Sequence, residues 1–139
     1  QKIKEYIENY PSKNIHFHGR VTKKDLRRVL PEYHASIVPL AKRIYGAVPS
    51  KIFELISLGV PVLFCGSGEG AELIDENELG YTSSPGDYKS LEKNLIELKK
   101  LTRSSYKILL MNCIRFAERE LNFEEQLNGF VEELNDLTN

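Results

Sequence analysis

Two runs constrain this chain more than any other feature: ASIVPL at 35–40 and VPVLFC at 60–65. Their apolar residues are consecutive, not alternate, so both faces of each strand must be covered. Between them lies KIFELISL, a helical stretch with Ile52, Phe53, Leu55, Ile56 and Leu58 apolar on most sides. Short buried strands separated by helices predict an α/β fold, a parallel Rossmann-like sheet with helices on both faces.

The flanks extend the alternation. Residues 2–10 read as a helix ended by Pro11, and NIHFHGRV (14–21) is β-rich. TKKDLRRVLPEY reads as a helix with Thr22 at its N-cap and Pro31 bending or ending it. Gly59 is the stop of the helix over 49–58, and GSGEG (66–70) turns into a short helix, 70–77. GYTSS (80–84) is a last strand before the turn PGD, and 87–138 holds two or three amphipathic helices. One apolar stripe runs through Leu91, Leu95, Leu98 and Leu101; a second runs through Leu127, Phe130, Val131 and Leu134.

At 139 residues the length predicts one domain over 1–139. The formal net charge of −1 gives no global field for nucleic acid, and no apolar run reaches the ~20 residues of a membrane-spanning helix. Cys65 and Cys113 stand in apolar contexts without C-x-x-C spacing, which reads as buried thiols in a reducing, cytoplasmic setting. His16 and His18 share one face of a strand, but spacing nominates no third metal ligand, so partly buried histidines are expected and no metal. The first residue is Gln1, not Met, which suggests a trimmed chain or an excised domain.

Parallel sheets bind ligands at the carboxyl ends of their strands. The loop 40–49 is therefore the first place to look. Pro49 suits the first position of a helix, so the N–H groups of Ser50 and Lys51 face outward at the positive end of the dipole. Arg43 and Lys51 add charge, and the pattern fits a phosphate or diphosphate. Glu54 lies three residues from Lys51 and four from Ser50, one turn deeper, where a carboxylate suits a pair of ribose hydroxyls. On that reading Glu54 is buried to meet a sugar ring. The plainer alternative is that it pairs with Lys51 or a neighbouring arginine. Gly66, Gly68 and Gly70 allow close backbone approach to a ligand, or equally a tight turn with Glu69 and Glu72 placed for the helix dipole. The spacing fails G-x-G-x-x-G, and no phosphate-binding lysine follows.

The succession NIHFHGRV, KKDLRRVLPEYHASIVPL, VPSKIFELISLGVPVLF, GEGAELI and ELGYTSSPGD, over roughly residues 1–125, resembles the carboxy-terminal half of retaining glycosyltransferases with two Rossmann-like domains (the GT-B, group 1 type). It is similar to bacterial capsule and O-antigen enzymes of the fucosamine-transferase kind. The resemblance implies a donor-binding domain for a UDP- or GDP-type nucleotide sugar, with no other cofactor. Glu54 matches the second glutamate of the family's Glu-x7-Glu motif, which bonds the donor ribose. Pro49, Ser50, Lys51 and Arg43 would face the diphosphate, the turn Gly19-Arg20-Val21 would border the base, and Glu72 matches a glutamate near the donor. Gly46 stands where the motif has its first glutamate, beside the transferred sugar, so that contact departs from the family pattern.

The resemblance also implies that an amino-terminal acceptor domain, and the first two strands of the donor domain, lie outside this sequence. The acceptor would be a glycan or a lipid-linked sugar, and the full enzyme would work in the cytoplasm, at the inner face of the membrane. The 139 residues alone would be inactive. In the strand order 3-2-1-4-5-6, segments 15–19, 35–39, 61–65 and 80–83 would be the third to sixth strands. The expected remedy for the gap is a shortened four-strand sheet with Phe17 beside Ile37, and next a homodimer pairing edge to edge. A non-catalytic nucleotide-binding or interaction domain of the same fold is the alternative.

Overall fold

In a computed structural model of the chain, residues 2–11, 14–40, 42, 46–122 and 131 are described. Ser36–Pro39 forms β1, Val62–Cys65 forms β2 and Gly80–Ser83 forms β3. They make one parallel sheet in the order β1-β2-β3, with Ser36 opposite Val62 and Val62 opposite Gly80. The helices are α1 (Lys2–Asn9), α2 (Lys23–Val29), α3 (Ser50–Ile56), α4 (Glu69–Glu76), α5 (Tyr88–Lys100) and α6 (Arg103–Glu120). A 3-10 turn, Leu30–Glu32, follows α2. The expected α/β class is what the chain adopts: three parallel strands with helices around them.

The four residues of β2 are all buried, as their unbroken apolar sequence requires of a central strand. The core gathers around Phe64, with Ile52, Ile56, Val60, Val62, Ile74, Leu79 and Cys113 at 1% exposure or less. Burying an aliphatic or aromatic side chain of this size contributes about 1.5–3 kcal/mol. α3 turns Ile52, Leu55 and Ile56 inward and ends on Gly59, whose φ of +68° suits glycine. The Gly59 N–H donates to Ile56 C=O and the Val60 N–H to Leu55 C=O, which closes the helix end and launches β2.

Gly66 owes its identity to packing: a Cβ there would overlap the Phe64 ring. Gly70 lies against the same ring, where a Cβ would meet it at 3.2 Å and Ile52 at 3.4 Å. These two glycines are accounted for by the fit of α4 over the core, without a ligand.

Several expectations are corrected. Residues 15–21 form no strand; Ile15 and Phe17 are each 50% exposed. Ile37 is also exposed, so Phe17 does not add a fourth strand beside it. The segment has the alternation of a strand, but a strand needs a neighbour to hydrogen-bond, and none is supplied among the described residues. His16 and His18 are exposed, not partly buried, with ring centroids 6.4 Å apart. Of the first leucine stripe, Leu91, Leu98 and Leu101 are half-buried while Leu95 is exposed. In the second stripe Val131 is helical and exposed; Leu127, Phe130 and Leu134 lie outside the described residues.

Candidate functional site

The carboxyl ends of β1 and β2 feed the two loops of interest. The Leu40 N–H donates to Cys65 C=O at 2.8 Å and holds the exits of the two strands side by side. From β1 the chain passes through Gly46 to Pro49, which occupies the N-cap of α3, one position earlier than the sequence suggests. Pro49 has no side-chain donor or acceptor, and α3 has no side-chain cap. At the helix start the Ile52 N–H donates to Pro49 C=O at 2.9 Å, while the N–H groups of Ser50 and Lys51 precede the first helical bond.

Lys51 and Glu54 do not stand apart. Lys51 Nζ lies 2.7 Å from Glu54 Oε2, with side-chain exposures of 59% and 37%. Glu54 is therefore half-exposed, which corrects the expectation of a buried carboxylate. Its place on α3 explains this: Ile52, Leu55 and Ile56 define the inward face, and Glu54 points away toward α2. The Lys51 hydrogen bond holds the Glu54 carboxyl below the usual carboxylate range. Slight burial opposes that shift, and the charges of Lys51, Lys23 and Arg27 reinforce it. The plainer reading of Glu54, a pair with Lys51, is present in the structure. Such an exposed pair one turn apart on a helix contributes only about 0.3–0.5 kcal/mol, so a ligand can open it at small cost.

Beside this pair runs a groove of about 380 Å³ between α2, β1 and α3. Leu26, Leu30, Val38 and Leu40 give it apolar walls; Pro49, Lys51 and Glu54 stand at the carboxyl end of β1. The volume lies in the range of small-ligand sites. Gly19, Arg20 and Val21 are exposed and lead directly into α2, whose N-cap Thr22 accepts the Asp25 N–H at 3.2 Å. They approach the groove through the chain, with Lys23 and Arg27 of α2 facing Glu54. Glu72 is exposed on α4, and its side chain makes no hydrogen bond or ion pair among the described residues. Arg43 lies outside the described residues.

Gly46 is exposed at φ +67°, and its N–H donates to Glu69 Oε1 at 3.0 Å. The sequence alone gives Glu69 only a place at a helix start. The bond spans 23 residues, and its one sequence signal is an acid flanked by glycines in a strand-to-helix turn. A larger cavity, about 660 Å³, lies by His34, Leu98, Arg103 and Tyr106 near the amino end of β1, away from every candidate residue. Among the described residues no three His, Cys, Asp or Glu side chains cluster as metal ligands, and no helix is long and apolar enough to cross a membrane.

Parallel strands with helices around them define a Rossmann-like α/β domain, with a ligand-sized groove at the carboxyl end of the first strand and a lysine–glutamate pair at its mouth. The family model described as "Glycosyl transferases group 1" matches residues 1–100, and the chain belongs to that family. No curated protein and no solved structure matches the chain.

Proposed function

We propose that this chain is the donor-binding part of a glycosyltransferase that moves a sugar from a nucleoside diphosphate to a glycan or lipid-linked acceptor. The observation that carries the reading is the groove beside β1, with Glu54 and Lys51 at its mouth and the uncapped start of α3 next to them. The Glu54 carboxylate accepts from the ribose hydroxyls, and Lys51 moves from Glu54 to the diphosphate. Pro49, Ser50 and Arg43 complete the anion-facing loop, and Gly19, Arg20 and Val21 border the base. Gly46 leaves room beside the transferred sugar, with Glu72 as a further donor contact.

The chemistry follows from charge. Leaving of the nucleoside diphosphate concentrates negative charge on its oxygens, and lysine, arginine and oriented N–H groups stabilise that charge in place. Acceptor presentation falls to a second domain, so the 139 residues alone carry out no transfer. The sequence likeness to capsule and O-antigen enzymes favours a bacterial surface polysaccharide as product, made at the cytoplasmic face of a membrane.

A non-catalytic binding or interaction domain is the second reading, favoured by the Lys51–Glu54 pair already satisfying both charges. Calorimetric titration of the chain with UDP and GDP separates a nucleotide binder from an interaction domain, and a transfer assay on the full-length enzyme separates a donor domain from a non-catalytic binder. The donor-domain reading expects saturable binding of at least one, weakened by Glu54→Gln; absence of binding to either sinks it.

A further inference from the structure

We infer that Glu69 is a positioning residue for the groove beside β1, acting as a latch on the loop that brings Pro49 and Lys51 to its mouth. The inference rests on the nucleotide-binding reading of that groove. Three observations carry it. The Glu69 carboxylate accepts the Gly46 N–H at 3.0 Å, three residues ahead of the Pro49 N-cap. Pro49 supplies no side-chain cap; its C=O accepts the Ile52 N–H at 2.9 Å, and the chain before it is tied to another element by the Gly46–Glu69 bond. The first turn of α4, which carries Glu69, is seated firmly: Gly70 packs on the Phe64 ring and Ile52, both fully buried.

The latch thus joins a glycine-bearing surface loop to an element fixed on the core. Gly46 takes a left-handed φ of +67°, so its amide is aimed by a conformation that glycine holds without strain. Breaking the bond leaves the sheet and core untouched, since the bond is exposed. It frees the direction in which Pro49 and Lys51 meet a ligand. A ligand then has to order the loop as it binds, and affinity falls while folding does not.

The test uses the 139-residue chain with UDP and GDP as probes. Glu69→Ala is expected to weaken binding roughly five- to tenfold, the scale of one ordinary hydrogen bond. Its melting temperature stays unchanged, and amide exchange over 46–51 becomes faster. Glu69→Gln keeps an oxygen acceptor for the Gly46 N–H and retains most of the affinity. Equal binding by Glu69→Ala and wild type overturns the latch alone and leaves the groove reading intact. A sharp fall in melting temperature, or Glu69→Gln as weak as Glu69→Ala, also overturns it. Wild type that binds neither nucleotide removes the groove reading and the latch with it.

Discussion

Lys51 and Glu54 face each other across one turn of α3 at 2.7 Å, both partly in solvent, at the mouth of an apolar groove. A pair so placed is weak as a structural element and available as a recognition element. Glu54→Gln should lose on the order of 1.5–3 kcal/mol of affinity for UDP or GDP, the scale of a hydrogen bond to a charged group. Thermal unfolding should move little. A melting point that drops sharply with nucleotide affinity unchanged would make the pair purely structural.

On the proposed reading the same groove would discriminate by shape and one diphosphate, not by a field. With a net charge of −1, single-stranded oligonucleotides should not be retained at about 150 mM salt. A gel shift that weakens steeply with added salt would contradict this.

Glu78 follows α4 with φ +51°, the only non-glycine residue in the left-handed region among those described. The Leu79 N–H donates to Ile74 C=O at 3.0 Å, so the turn itself is well closed, but it carries a Cβ where glycine is favoured. Glu78→Gly should therefore stabilise the chain by about 0.5–1 kcal/mol, raising the melting temperature by about 2–4 °C. The Asn112 amide donates to the backbone carbonyl of Glu78 at 3.3 Å, a contact the substitution leaves in place. Calorimetry decides; a lower melting point would show that the longer Asn112 contact to the Glu78 carboxylate outweighs the backbone strain.

Burial pushes the Cys113 thiol up to about 12, and its Sγ donates to Leu79 C=O inside the core. The unfolded chain ionises this thiol near its ordinary value of about 8.5 while the folded chain keeps it neutral. The unfolded state thus binds fewer protons between those values. Stability is intact below the unfolded pKa and falls as pH rises through the window toward 12, with a slope near 1.4 kcal/mol per pH unit from this group. Denaturant titrations from about pH 8 to about pH 11 should show a shallower decline in Cys113→Ala than in wild type. Parallel curves would place the alkaline loss elsewhere, for instance at Tyr106, whose phenol is also raised by burial.

The sheet is legible in the sequence because its strands announce themselves locally. VLFC is apolar at every position, and only the centre of a parallel sheet buries all four. The stretch around Phe17 has equally good alternation, yet it stays outside the sheet, because pairing depends on a partner that local pattern does not specify. Glu54 misleads for a related reason. A helix apolar on most sides hides which side is inward until Ile52, Leu55 and Ile56 are seen against Phe64. Gly66 suggests a ligand loop, when the cause is a ring two residues earlier folding back over it. Glu69 is invisible as a partner of Gly46, since nothing in a linear reading brings residues 23 apart to 3.0 Å.

Among the described residues no strand pairs with the flank of β1 that faces away from β2, and its make-up has a colloidal consequence. The N–H groups of Ser36 and Leu40 are turned toward β2, so Ile37 and Pro39 present the other edge. Proline has no N–H to offer, which leaves Ile37 as the donor of that pair and interrupts any ladder a newcomer could build. A second molecule approaching this edge finds a template too short to propagate. At this edge a single imino acid, Pro39, therefore works against edge-to-edge strand growth between molecules in concentrated solution.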